Sequence, residues 1–294
     1  MKYEAILENS RFFKVADMCR VLGVTPQNYY RWRRNRIKAA EKKKRLLPLI
    51  LSIIQLFNET RKTYGYRKMQ KELKKRGIKV STYLIRRIMR ENGLYPETVK
   101  KYKPCKSNRE KMKYAIDSLR QEFHVKDPGE VLAGDITYVQ TNKGWVYLAV
   151  VMDLYNREVV GYETGRTIDT ELVKRALSHA LTKGIRPRLF HSDRGSQYSS
   201  ASFKRMLEEN GIQASQSRGG CPYDNACVES FFATAKKELI FRKQYDKLED
   251  VEADIYDYIE NFYNRKRLHS YLGYMSPVEY RLKRYTEDCT GTYE

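Results

Sequence analysis

Cysteine is scarce and scattered in this 294-residue chain: Cys19, Cys105, Cys221, Cys227 and Cys289 form no CxxC pair and take no zinc-type spacing with the four histidines. That excludes a disulfide scaffold and a His/Cys zinc module, and the expectation is reduced thiols in a cytosolic protein. No run of 18 apolar residues occurs and the N-terminus lacks the apolar core of a signal peptide, so a membrane-spanning helix is excluded and a soluble, intracellular protein is expected. No heptad pattern persists over three or four repeats, which excludes a long coiled coil. Acidic residues run short in one region only. Residues 1–122 carry 33 Lys and Arg against 11 Asp and Glu, an excess of 22, whereas residues 123–294 carry 24 against 25. A basic half beside a near-neutral half reads as a polyanion-binding module joined to another domain. With 41% hydrophobic residues, the length allows about two domains with real cores.

The basic half holds two helix-turn-helix patterns. In residues 11–36, Val15, Met18, Cys19 and Leu22 form one apolar face, Gly23 breaks the helix, and Thr25-Pro26 caps a second helix expected from Pro26 to about Asn35. That second helix presents Gln27, Asn28, Arg31, Arg33 and Arg34 among three aromatics. It is either a major-groove reader or a small basic hairpin packed on its neighbour. Further helices are expected over Leu46 to Asn58, Tyr66 to Lys75 and, from a cap at Ser81, to about Asn92. In the last of these Ile85, Ile88 and Met89 face inward while Arg86, Arg87 and Arg90 point away. Thr82, Tyr83, Arg86 and Arg87 are the candidate DNA contacts of this second unit. The expected organisation is helix-turn-helix units at 1–40 and 41–95, a basic linker at 96–122, an α/β core at 123–246 and a helical extension at 247–294.

From Val131 the texture turns to β. Leu132 to Val139, Trp145 to Met152 and Glu158 to Glu163 read as a three-stranded meander with turns at Asn142-Lys143-Gly144 and Asn156-Arg157. A helix, a strand to Ser192, a helix, a short strand and a helix from about Asn225 follow, in the order βββαβαβα. Three carboxylates stand out in this frame: Asp135 within the first strand, Asp193 at the end of the fourth, and Glu229 in the last helix, 35 residues separating the latter two. Hard divalent cations prefer several converging carboxylate oxygens. Taken singly, Asp135 could be an edge residue and Asp193 a turn residue. Lys236 shares a helical face with Glu229, two turns on, and is either a phosphate grip or a solvated surface cation. Asp153 and Asp224 are expected to be structural or loop residues, and the turn-rich loop Arg218 to Asn225 to become ordered around substrate.

The segments Gly134-Asp-Ile-Thr-Tyr138, Gly144-Trp-Val-Tyr-Leu148, His191-Ser-Asp-Arg-Gly-Ser-Gln-Tyr198, Asp224-Asn-Ala-Cys-Val-Glu-Ser-Phe-Phe232 and Leu272-Gly-Tyr-Met-Ser-Pro277 resemble bacterial insertion-sequence transposases with a retroviral-integrase core. The stretch from Thr63-Tyr-Gly-Tyr-Arg67 to Gly93 resembles the helix-turn-helix that precedes that core. The resemblance implies a ribonuclease-H-like α/β core with a mixed five-stranded sheet, preceded by all-α helix-turn-helix domains, with Asp135, Asp193 and Glu229 as its D-D-E triad. It further implies a pair of Mg²⁺ ions, with Mn²⁺ able to substitute, and cleavage and strand transfer at the terminal inverted repeats of the element. Implied partners are double-stranded transposon-end and target DNA, a dimer or larger assembly on that DNA, and a protein from an upstream reading frame. The implied location is bacterial, cytoplasmic and nucleoid-associated. Competing readings are a ribonuclease-H-like nuclease and a DNA-binding regulator with an inactive core.

Overall fold

The computed structural model describes residues 1–97, 125–193, 195–216 and 226–290, the side chains of 287–290 excepted. The expected linker beyond 97, the loop Arg218 to Asn225 with Asp224, and the side chains of Cys105, Cys221 and Cys289 lie outside the described residues. Cys19 and Cys227 are free thiols. Among the described residues no helix is long and apolar enough to cross a membrane.

Helices α1 (Lys2–Asn9), α2 (Val15–Val21) and α3 (Pro26–Glu59) open the chain. Cys19 of α2 packs with Ile6 and Tyr29 in a small core of its own, and the Thr25 side chain caps α3 by accepting from the Asn28 amide. The sequence reading separated a helix ending near Asn35 from another starting at Leu46, whereas the structure runs one helix of 34 residues through both. The cause is the composition between them: Arg, Lys, Ala, Glu and Leu are strong helix formers, and no glycine interrupts. Residues 33–45 are exposed on every side, the pattern of a helix that bridges two bodies through solvent. Pro48 lies within the helix, and the Ser52 hydroxyl donates to its carbonyl.

Helices α4 (Tyr66–Lys75) and α5 (Thr82–Glu91) complete the second helical unit, with Ser81 capping α5 through the Leu84 amide. The sheet then forms as expected: β1 (Val131–Thr141), β2 (Gly144–Asp153), β3 (Val159–Gly165), β4 (Leu189–Ser192) and β5 (Gln213–Gln216), in the order β3-β2-β1-β4-β5. β1, β2 and β3 are antiparallel neighbours, while β4 lies parallel to β1 and β5 parallel to β4, giving the mixed ribonuclease-H-like sheet. α6 (Thr170–Thr182), the single turn α7 (Ser196–Ser199) and α8 (Ala201–Glu209) lie in the connections between strands, and α9 (Ala226–Glu238) follows β5. Side chains alternate across a strand, so β2 supplies both layers. Tyr147, Ala149 and Val151 face α6 and α8, and Val146, Leu148, Val150 and Met152 face the opposite core.

That opposite core is larger than the expected boundaries suggest. One cluster joins Leu56, Met69 and Ile85 of the second helical unit, the sheet face, Val228 and Phe232 of α9, and Val251, Tyr258 and Phe262 of the C-terminal region. Residues 247–285, read from sequence as helical throughout, divide into α10 (Leu248–Tyr256), a π-helix at Asp257–Tyr263, a turn bridged between His269 and Met275, and α11 (Pro277–Thr290). The wider π turn places Tyr258, Ile259, Phe262 and Tyr263 all in the core. Ser276 and Glu279 form a capping box at the start of α11, the Ser276 hydroxyl accepting from the Glu279 amide and the Glu279 carboxylate from the Ser276 amide.

Candidate active site

Strands β1 and β4 run side by side as far as the pair Gly134–Ser192. The next residue on each is an aspartate, Asp135 on β1 and Asp193 just past β4, so the two carboxylates stand at the fork where the strands part. Neighbouring strands lie about 4.8 Å apart, which fixes the spacing of the two backbones there. Gly134 is needed for the approach: a Cβ on it would meet Phe190 Cζ at 2.5 Å and the Tyr198 hydroxyl at 3.2 Å. Asp193 is exposed, and its Oδ1 accepts the Gly195 amide at 2.9 Å in an Asx turn.

Asp135 is half-buried, and its Oδ1 accepts the Ile136 amide at 2.7 Å. Burial, opposed by that amide, lifts its pKa to about 6, and the negative charges of Asp193 and Glu229 push in the same direction while Lys236 pulls it down. Two of the acids named by the sequence, Asp193 and Glu229, therefore act on the third. Among the described residues no three His, Cys, Asp or Glu side chains close into a cation cage. Tyr198 lies buried behind the acids. Burial first, and then the Asp135 and Asp193 charges, raise its phenol well above the usual range.

Glu229 sits in the first turn of α9, exposed, while Val228, Phe231, Phe232 and Ala235 seat that helix in the core. Lys236, two turns on, carries its Nζ to 4.7 Å from the centroid of the Tyr138 ring. Burial lowers its pKa against the pull of Asp135. The far end of α9 is anchored: Glu238 receives both Nε and Nη2 of Arg267 at 2.8 Å and the Tyr258 hydroxyl at 2.8 Å. Burial alone would raise the Glu238 carboxyl, but hydrogen bonding and charge from Arg267, with Tyr258 and Lys68, bring it below its ordinary value. Beside this pair, Tyr64 of the second helical unit donates to the Lys266 carbonyl and accepts the Leu268 amide. Asp153 is buried and structural, accepting the Gly129 and Tyr155 amides.

Gln27, Asn28, Arg31, Arg33 and Arg34 are exposed at the start of α3, and Thr82, Tyr83 and Arg86 are exposed on α5. Arg86 stacks over the Tyr66 ring, 5.9 Å from its centroid. Arg87 departs from the sequence reading: it is half-buried and pairs with Glu91 at 3.5 Å. Position 87 flanks the apolar stripe of Ile85 and Ile88, so its hydrocarbon stem lies against the core and only the head reaches outward. Sequence reasoning also passed over Tyr138, Trp145 and Tyr198. The first two alternate onto the solvent face of their strands, a pattern that names a face without revealing a site. Tyr198 ends the motif that begins at His191, and its place behind the acids requires the fold.

Residues 125–222 match a family model described as an integrase core domain, residues 210–277 a second of the same description, and residues 41–102 one described as an HTH-like domain. The transposase InsF for insertion sequence IS3A of Escherichia coli (strain K12) is 35% identical over 287 residues, covering 96% of this chain and 99% of that protein. The insertion element IS600 uncharacterized 31 kDa protein of Shigella sonnei is 36% identical over 268 residues, covering 90% and 98%. Among solved structures, the HTLV-2 integrase catalytic core domain in complex with magnesium aligns over 53% of this chain and 98% of that one, with a TM-score of 0.39 and 15% identity.

Proposed function

The chain belongs to the insertion-sequence transposase family represented by the IS3 proteins, and from that premise we propose that it binds the ends of its element and cuts and rejoins DNA there through Asp135, Asp193 and Glu229. The observation that supports this reading is the strand fork, where two aspartates stand on neighbouring strands and the Glu229 charge reaches Asp135. The donor set suits a hard divalent ion: it is all carboxylate oxygen, and a cation would relieve both the burial that chiefly raises Asp135 and the repulsion from Asp193 and Glu229 that adds to it. Asp135, Asp193 and Glu229 would hold a pair of Mg²⁺ ions, with Mn²⁺ able to replace them. Bound there, the ions would polarise the scissile phosphate and lower the pKa of the attacking water or DNA 3′-hydroxyl.

The residues themselves do the positioning. The Asx turn at Asp193 fixes its backbone, the Phe190 and Tyr198 rings back Gly134 and Asp135, and Lys236 would hold a phosphate oxygen beside the reacting one. Exposed side chains on α3 and α5 would read the element's end, Gln27, Asn28, Thr82 and Tyr83 toward bases and Arg31, Arg33, Arg34 and Arg86 toward phosphates; Arg87 would contribute its head group alone. In this reading the protein works on nucleoid DNA in a bacterial cytoplasm, as a dimer or larger assembly that brings two ends together, with or without a protein from an upstream reading frame. Residues 1–40, 41–95, 96–122, 123–246 and 247–294 are its functional segments.

Labelled element-end DNA incubated with the protein and Mg²⁺ tests the proposal. Joined strands are the expected product. Cutting without joining would replace it with a nuclease, and retention without reaction with a regulator. Asp193→Asn is expected to cut joining by roughly a thousandfold or more while leaving end binding nearly intact. Loss of both would make Asp193 structural.

A further inference from the structure

Next to the acidic trio lies an aromatic surface for which the chemistry above has no use. β1 and β2 pair Tyr138 with Tyr147 and Gln140 with Trp145, so Tyr138 and Trp145 share one face of the hairpin as diagonal neighbours. Their rings meet edge to face, with centroids 5.1 Å apart and planes at 90°. Contact has not buried them: Tyr138 is 56% and Trp145 49% exposed, and Phe241, from the turn after α9, is 59% exposed. With Lys236 and the side-chain amides of Gln140 and Gln244, these rings line a groove of about 470 Å³.

The groove is tied to the acidic site by one side chain. Lys236 rests on the Tyr138 ring, its charge acts on Asp135, and among the described residues it has no carboxylate within ion-pair reach. Tyr138 is three residues beyond Asp135 on the same strand, about 10 Å along it and, by the alternation of the pleat, on the other face of the sheet, in the stretch of β1 that β4 leaves unpaired. A DNA strand rises about 3.4 Å per nucleotide, so a strand passing over that unpaired edge of β1 would reach the groove a few nucleotides from a phosphate held at the acids.

We propose that this groove is a stacking site for unpaired nucleobases of the DNA strand flanking the scissile phosphate, with Lys236 holding the backbone between base and reaction centre. This rests on the transposase reading and names the state of the substrate that the same site takes. Inside a duplex every base hides its π-faces against its neighbours, so exposed protein rings engage only bases that have left the stack. The Tyr138 ring is already braced, by Trp145 at its edge and Lys236 over its face, so little ordering remains to be done on binding. The two glutamine amides suit base edges, and the Lys236 ammonium suits a phosphate. An apolar protein partner would bury that ammonium and both amides without partners, which disfavours a protein occupant.

The test uses the full-length protein and element-end duplexes carrying 2-aminopurine at each of the three positions on either side of the scissile phosphate, bound without divalent metal so that no cutting occurs. The wild-type protein is expected to change the fluorescence at one or two adjacent positions. Tyr138→Ala/Trp145→Ala is expected to return those positions to the free-duplex value and to slow joining of fully paired ends roughly 10- to 100-fold. Ends mismatched at the same positions should recover most of the loss. Tyr138→Phe/Trp145→Phe keeps both rings and should keep the signal. Tyr138→Leu keeps apolar bulk without a π-face and should lose it, which guards against a misfolded alanine variant. No signal in the wild-type complex, an unchanged signal in the alanine variant, or a changed assembly mass with unchanged fluorescence would overturn the proposal. Because the fluorescence needs binding alone, a protein that gives the signal but joins no DNA would retire the transposase chemistry and leave the stacking site standing.

Discussion

Glu229 and Glu238 lie on one helix, about 13 Å apart along its axis, and their surroundings differ in every respect. Glu229 is exposed, meets no hydrogen-bonding partner among the described residues, and adds to the repulsion felt by Asp135. Glu238 is 8% exposed and saturated by Arg267 and Tyr258. A carboxylate with its bonds already made can hold a helix but has nothing left for a ligand; one without partners destabilises its neighbourhood and keeps its oxygens available. Placing both kinds on α9 lets the closed end fix the position of the open end. The closed end also draws on distant sequence, since Tyr64 and Lys68 of the second helical unit border the same ion pair.

The contrast makes its largest claim on stability. Arg267→Met strands a buried carboxylate and is expected to cost about 3–5 kcal/mol in urea unfolding, whereas Glu229→Gln, which removes a repelling charge, should leave the midpoint unchanged or raised. Equal losses from the two variants would break the comparison. A smaller effect concerns His269, whose largely buried ring meets Tyr263 edge to face near the closed end. Burial above all, with help from the Arg267, Lys68 and Arg157 charges, lowers its pKa to about 3. The unfolded chain takes up this proton near pH 6.5 and the native fold does not. The histidine's contribution is therefore complete above pH 6.5 and is lost as pH falls toward 3, by up to about 1.4 kcal/mol per pH unit. Asp135 and Asp153, both raised to about 6, slope the opposite way between their unfolded values and pH 6, so the readout is a difference. Relative to wild type, His269→Leu should lose stability less steeply between pH 6.5 and 5. The smallest effect concerns Lys68, which burial and the Arg267 charge lower to about 8 despite the pull of Glu238. A base held below its ordinary pKa disfavours the native state at neutral pH. Lys68→Met should therefore stabilise by something on the order of 1 kcal/mol at pH 7, and the wild type should regain that amount as pH rises from 8 to 10.5.

The candidate site at the open end of α9 carries sequence signals that the closed end lacks. Asp135, Asp193 and Glu229 sit in short motifs, and the strand alternation around Asp135 marks the two faces of β1. Glu238 and Arg267 are separated by 29 positions and lie in no motif, so only the folded chain unites them. The π-helix was also invisible, because Tyr258, Ile259, Phe262 and Tyr263 fit an α-helical stripe nearly as well as the wider turn that buries all four. Arg87 was misplaced because one step around a helix separates a solvated arginine from one lying along the core.

α3 is also a mechanical object. Thirty-four residues at about 1.5 Å each make a rod of about 50 Å, and the little core of Ile6, Cys19 and Tyr29 is carried at its far tip. Such a strut works as a ruler. Each residue inserted into its bare middle would push that tip outward by about 1.5 Å and swivel it by about 100°, so any duplex gripped by both the tip and α5 has to present its two contact stretches at one separation and one rotational phase.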